Sequence, residues 1–209
     1  MRDLLLRLAN LGIAALTIVI IVFDVISIYQ YIEAMINYGS SIGSGLPYMI
    51  INVVFNAVYV LFLIFISLSL IVKTIKNTYY NSISNAYIGF LILLIWIVNF
   101  IHVMIQINGF QMGIPVREWI MMSIVVLAII IFIIGSHVKG SIELFGIEAS
   151  YSNIFRIIFA GLGFIFMIFI FIGGGFTEGN NIFYNISSTL IFVGIAGYYA
   201  VDILFPLDE

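Results

Sequence analysis

Six long apolar stretches fill most of this chain, at 8–32, 48–72, 83–107, 119–135, 154–172 and 183–205. A membrane helix needs roughly 20 mostly apolar residues to cross about 30 Å of hydrocarbon, and each stretch comes close to that length or exceeds it. A membrane β-barrel would instead alternate apolar and polar residues over segments of about ten. Runs such as Ile124 to Ile134 do not alternate. In lipid the backbone must close its own hydrogen bonds, so the many β-branched Ile and Val residues do not argue against helices. The predicted fold is all-α: a polytopic integral membrane protein with one six-helix transmembrane domain over residues 1–209.

Composition excludes the alternatives. Hydrophobic residues make up 64% of the chain and charged residues 8%, with a mean hydropathy of +1.25. A soluble domain carries about 25% charged residues, so this chain has too few to cover a water-facing surface. The net charge of -3 gives no basic footprint for nucleic acid. With no cysteine, disulfides, iron–sulfur clusters, thiol catalysis and Cys-ligated zinc are excluded. The expected partners are membrane lipid and either other transmembrane subunits or further copies of the chain.

Lys and Arg placement sets the expected orientation. With the N-terminus inside, the inner segments hold Arg2, Arg7, Lys73, Lys76, Lys139 and Arg156, and the outer segments hold only Arg117. That is a positive-inside bias, and an even number of spans places both termini in the cytoplasm. The expected location is the cell membrane. The apolar run after Met1–Arg7 is too long for a signal-peptide core and is read as a retained first span. No internal repeat points to an inverted-repeat transporter.

Polar residues inside the spans fall mostly in the outer half. Asn52, Asn56 and Tyr59 lie on one face of span 2, at spacings of four and three. Asn99, His102 and Gln106 form a similar stripe on span 3, and Asp24 lies at comparable depth on span 1. Ser123, Ser187, Ser188 and Thr189 also sit toward the outer ends. The inner halves read as poorer, with Ser67, Ser69 and Asp202. The candidate site is therefore an outward-facing polar pocket of Asp24, Asn52, Asn56, Asn99, His102 and Gln106, closed by apolar packing below. Asp24 and His102 would be its titratable members, able to relay a proton or bind a cation. The competing reading is ordinary interhelical hydrogen bonding.

Other constellations are less specific. His102 and His137 are separated by roughly 20 Å along the membrane normal, from a helix rise of about 1.5 Å per residue, so they cannot share a haem. Neither a cofactor nor a metal site is expected. Gly161, Gly163, Gly194, Gly197, Ala196 and Ala200 offer small surfaces for close helix packing. The Gly173-Gly174-Gly175 run reads as a loop end. Tyr29, Tyr31, Tyr48, Trp119, Phe183 and Tyr184 suit an outer aromatic belt, and Tyr79, Tyr80 and Tyr151 an inner one. The sequon Asn185-Ile186-Ser187 lies too close to the bilayer for glycosylation. The segment Lys139 to Asn153 is the longest inner connection; its Ile142, Leu144, Phe145 and Ile147 either dock on a partner or the membrane surface, or extend span 5. No phosphate loop, HExxH, nucleophile elbow or paired acids of a membrane protease occur, so no enzymatic activity is expected. Two functions remain: a small transport or channel component built on the outer pocket, or a non-catalytic structural or accessory subunit of a larger membrane complex.

Overall fold

The computed structural model describes residues 1–42, 46–76, 84–106, 116–144, 146–173 and 182–205. Among these residues six helices form: α1 (Arg2–Ile42), α2 (Leu46–Lys76), α3 (Ala86–Gln106), α4 (Val116–His137), α5 (Tyr151–Gly173) and α6 (Ile182–Leu204). Five of them are long and apolar enough to cross a membrane, and the apolar part of α3, Ala86–Ile101, is shorter. The chain is an all-α, polytopic membrane bundle.

The helices run past most of the apolar stretches read from the sequence. α1 has 41 residues, about 60 Å at 1.5 Å per residue, twice the hydrocarbon thickness. Its start suits a helix, with Asp3 in the first turn complementing the positive end of the dipole. α2 ends with Lys73 and Lys76 in its last turn, which complement the opposite end. Ser84 caps α3, its Oγ accepting the Ala86 N–H at 3.2 Å, and Ser150 caps α5 by accepting the Asn153 N–H at 3.2 Å.

The segment 139–153 is the clearest departure from expectation. Only its last three residues, Tyr151 to Asn153, extend span 5 inward, and most of the rest is not irregular. Ser141–Leu144 and Ile147–Ser150 pair as an antiparallel hairpin, β1 and β2, with Ile142 opposite Ala149. Gly146 at the turn has a φ of 79°, a left-handed conformation that glycine adopts without penalty. Of the four apolar side chains expected there, Ile142 is exposed and Ile147 half-buried. The side chain of Leu144 and the whole of Phe145 lie outside the described residues.

Packing follows the order α2, α1, α6, α5, α4, each helix against the next, while α3 packs on α2, α4, α5 and α6. α3 is thus the central helix, and Ile88, Ile92, Leu93 and Trp96 are buried in it. Only the strip Tyr87, Leu94 and Ile101, spaced by seven, is exposed on α3 among its described side chains. α2 shows the two-faced logic of a lipid-bathed helix. Leu61, Phe65, Leu68 and Val72 point outward, while Leu63, Ile66, Leu70 and Thr74 are buried. Both stripes follow the i, i+3/i+4 period, and the outward one is as apolar as the inward one because its solvent is hydrocarbon.

Small residues matter where α6 meets its neighbours. Phe192 is fully buried between α3 and α5. A Cβ at Gly89 would come within 2.9 Å of its ring, and one at Gly163 would overlap it. Phe192 therefore fits a slot that two glycines leave open. Of the expected small surfaces, Gly163 and Gly194 make close approaches, whereas Gly161 and Gly197 face open space.

Candidate functional site

Five hydroxyls on these helices satisfy themselves. Thr17, Thr74, Ser123, Ser136 and Thr189 each donate to the carbonyl four residues back, at 2.7–2.9 Å. Such back-bonding needs no partner from another helix. Asn56 behaves similarly: its Nδ2 donates to the Asn52 carbonyl at 2.8 Å and to Asn52 Oδ1 at 2.6 Å. The two asparagines of the expected pocket on α2 thus bond to each other along their own helix, and no described hydrogen bond joins them to Asp24. Ser123 is exposed and does not contribute to a pocket.

What remains stands out by contrast. Asp24 Oδ2, Ser67 Oγ, Trp96 Nε1, Asn185 Oδ1 and Ser188 Oγ are among the buried side-chain atoms with no hydrogen-bond partner. Asp24 and Asn185 belong to the end of the bundle opposite the chain termini, which the Lys and Arg bias assigns to the outside; Ser188 follows one turn further in, and Trp96 lies at the middle of α3. Asp24 interacts electrostatically with Tyr59 of α2 and Tyr184 of α6, whose hydroxyls lie 3.4 Å apart. Its neighbour Phe23 stacks on Phe183 with ring centroids 6.3 Å apart, which fixes Asp24 level with the first turn of α6. Asp24 is half-buried as a residue, with its Oδ2 closed off from solvent, within electrostatic range of α2 and α6. Tyr184, expected in an interfacial belt, is drawn inward instead, while Tyr29, Trp119 and Phe183 are exposed as a belt requires.

Of the six candidate residues, Asp24 lies in this cluster. Asn52 and Asn56 form their own pair. Asn99 is half-buried on α3, one turn beyond Trp96. The side chains of His102 and Gln106 lie outside the described residues. Sequence reasoning missed Trp96 and Asn185 as interior polar groups. A signal was present: Trp ordinarily sits at the membrane interface, and Trp96 is in mid-span. Asn185 is 5% exposed, so its amide is buried against the bundle and not offered to a glycosylating enzyme.

The terminal end of the bundle corrects a second expectation. It is not poor in polar groups. Arg2 Nη2 donates to Asp202 Oδ1 at 2.6 Å, and Asn153 Nδ2 donates to Asp202 Oδ2 at 2.8 Å. Asn85 Nδ2 donates to Asn10 Oδ1 at 2.9 Å. Tyr199 shares a hydrogen bond with Ser84, and the Arg156 guanidinium carbon lies 5.0 Å from the Tyr199 ring centroid. This network fastens α1, α3, α5 and α6 together beneath an apolar layer of Ile13, Leu63, Ile92, Phe159 and Phe192. His137, exposed at the end of α4, bonds the Ile133 carbonyl through Nδ1 at 2.8 Å. Among the described residues no cluster of three metal-ligating side chains occurs.

Comparison with protein-family models, with curated proteins and with solved structures finds no match to the chain.

Proposed function

We propose that this membrane-embedded protein is a small transport or channel component in which Asp24 receives a proton or a monovalent cation from the outer side. The observation that carries the reading is the buried, unbonded Oδ2 of Asp24, within electrostatic range of Tyr59 and Tyr184. A carboxylate in such surroundings is expensive to keep, and intramembrane acids mark ion or proton pathways by default. Two phenolic oxygens and a carboxylate are hard oxygen donors suited to a proton or an alkali cation. The apolar layer and the Arg2–Asp202–Asn153 network below supply the closure that such a site needs on its other side. The test is gradient-driven flux. Purified protein in sealed vesicles is given H⁺, Na⁺ or K⁺ gradients and compared with protein-free vesicles. Flux of one of these ions above the empty vesicles supports the reading, and no flux of any of them removes it.

A second reading, an accessory subunit of a larger membrane complex, is favoured by a different observation. α1 continues for about five turns past the level at which Phe23 meets Phe183, and Val25, Tyr29, Ile32 and Ile36 are exposed along that extension. Their spacings of four, three and four form one apolar stripe. A subunit that docks through this stripe would co-purify with its partner from the native membrane, whereas a self-sufficient transporter is isolated alone.

A further inference from the structure

Three of the unbonded polar atoms, Trp96 Nε1, Asn185 Oδ1 and Ser188 Oγ, lie on α3 and α6. The register between α3 and α6 is antiparallel and is fixed at two points: Ser84 bonds Tyr199, and Gly89 abuts Phe192 and Ile195. Moving seven residues along α3 from Gly89 reaches Trp96, and moving seven residues back along α6 from Phe192 reaches Asn185. Seven residues are nearly two full turns, so each step stays on the same helix face and advances about 10 Å. In an antiparallel pair both steps run the same way. Trp96 and Asn185 therefore come level on facing sides, with Ser188 one turn from Asn185 on that same side. Phe166 of α5, whose ring centroid lies 5.6 Å from that of Trp96, forms the third wall. Trp96 and Asn185 are each 5% exposed and Ser188 is 0% exposed, so neither bulk water nor lipid headgroups reach them.

We infer that Trp96, Asn185 and Ser188 enclose a binding site for water between α3, α5 and α6. The chemistry selects the occupant. An indole N–H only donates, an amide oxygen accepts, and a hydroxyl does both. A cation would be repelled by the indole N–H, and an anion by the amide oxygen. A neutral molecule that donates and accepts satisfies all three, and water is the smallest. Buried waters typically make about three hydrogen bonds to groups the protein leaves unpaired, which is the number of atoms this site offers. The inference does not rest on the transport reading, because a wet site between packed helices serves a structural subunit equally well.

The test reads the indole proton directly. The chain has two tryptophans, so protein carrying 15N-labelled tryptophan in lipid bilayers gives two indole N–H signals. Trp119→Phe, which keeps a ring against Phe100, assigns them; Trp119→Tyr does so where the first variant does not fold. The readout itself is made on the wild-type protein. The expected result is magnetisation transfer from water to the Trp96 indole proton, reduced at least twofold in Ser188→Ala. A Trp96 signal without transfer from water overturns the inference, as does transfer that Ser188→Ala leaves unchanged.

Discussion

Removing the Asp202 carboxylate should loosen the terminal end of the bundle by a predictable amount. Asp202→Ala deletes the acceptor for Arg2 at 2.6 Å and for Asn153 at 2.8 Å. Losing one partner of a fully buried ion pair costs about 3–5 kcal/mol, whereas an exposed pair is worth about 0–1 kcal/mol. The Arg2 and Asp202 side chains are 19% and 27% exposed, between these limits. Arg2 also retains Asp3 at 3.7 Å, which softens the loss. The pair then contributes about 1–2 kcal/mol after solvent screening, and the charge-assisted bond from Asn153 about 1 kcal/mol. The expected destabilisation is about 2–3 kcal/mol for Asp202→Ala, and about half of that for Asp202→Asn, which keeps an acceptor oxygen but loses the charge. The assay is SDS-driven unfolding in mixed micelles followed by tryptophan emission. A double-mutant cycle with Arg2→Met isolates the pair, for which a coupling of about 1 kcal/mol is expected. A loss below about 0.5 kcal/mol for Asp202→Ala, within the range of ordinary surface substitutions, would refute the view that this network holds the helix ends together.

Three further outcomes follow from packing and charge. Gly163→Val places branched carbon where the Phe192 ring lies and should cost about 2–3 kcal/mol, as overpacking of a filled core does; the same substitution at Gly161, which faces open space, should cost under 1 kcal/mol, as surface changes do, and equal losses at both positions in the same unfolding assay would contradict the slot. Gly146→Val forces a β-branched residue into the left-handed turn, so the hairpin should become susceptible to limited proteolysis while the helical circular dichroism stays unchanged; resistance equal to the wild type would count against the hairpin. In a chain without native cysteine, Glu143→Cys should react with an impermeant maleimide only from the cytoplasmic side and Glu33→Cys only from outside, and the reverse pattern would invert the topology.

The fold was legible because lipid imposes one strong rule: apolar length. Every helix could be placed by counting, and boundary differences arise because helices continue beyond the hydrocarbon, as α1 does with its polar Gln30 and Glu33. The hairpin at 141–150 was less visible. Its alternation, Ser141-Ile142-Glu143-Leu144 before Gly146 and Ile147-Glu148-Ala149-Ser150 after it, spans only four residues on each side. The candidate site is legible only as depth along each helix. Depth along a helix follows from residue number, so the sequence alone puts Asp24 toward the same end of the bundle as the start of α6. Which face it presents depends on neighbours contributed by α2 and α6, and no spacing within α1 reveals Tyr59 or Tyr184. The Arg2–Asp202 pair joins positions 200 residues apart, a separation to which periodicity is blind. Asn52 and Asn56 share a face at spacing four, and the same spacing lets them bond to each other.

Asp24→Asn gives the most direct test, with flux and folding stability measured on the same preparation. The substitution keeps the shape of the side chain and removes the charge whose Oδ2 lacks a partner. If Asp24 is the site that takes up the transported ion, the variant loses ion flux in vesicles while its resistance to SDS unfolding is unchanged or raised. A variant whose flux equals that of the wild type, with or without a change in stability, contradicts the assignment of Asp24 to transport.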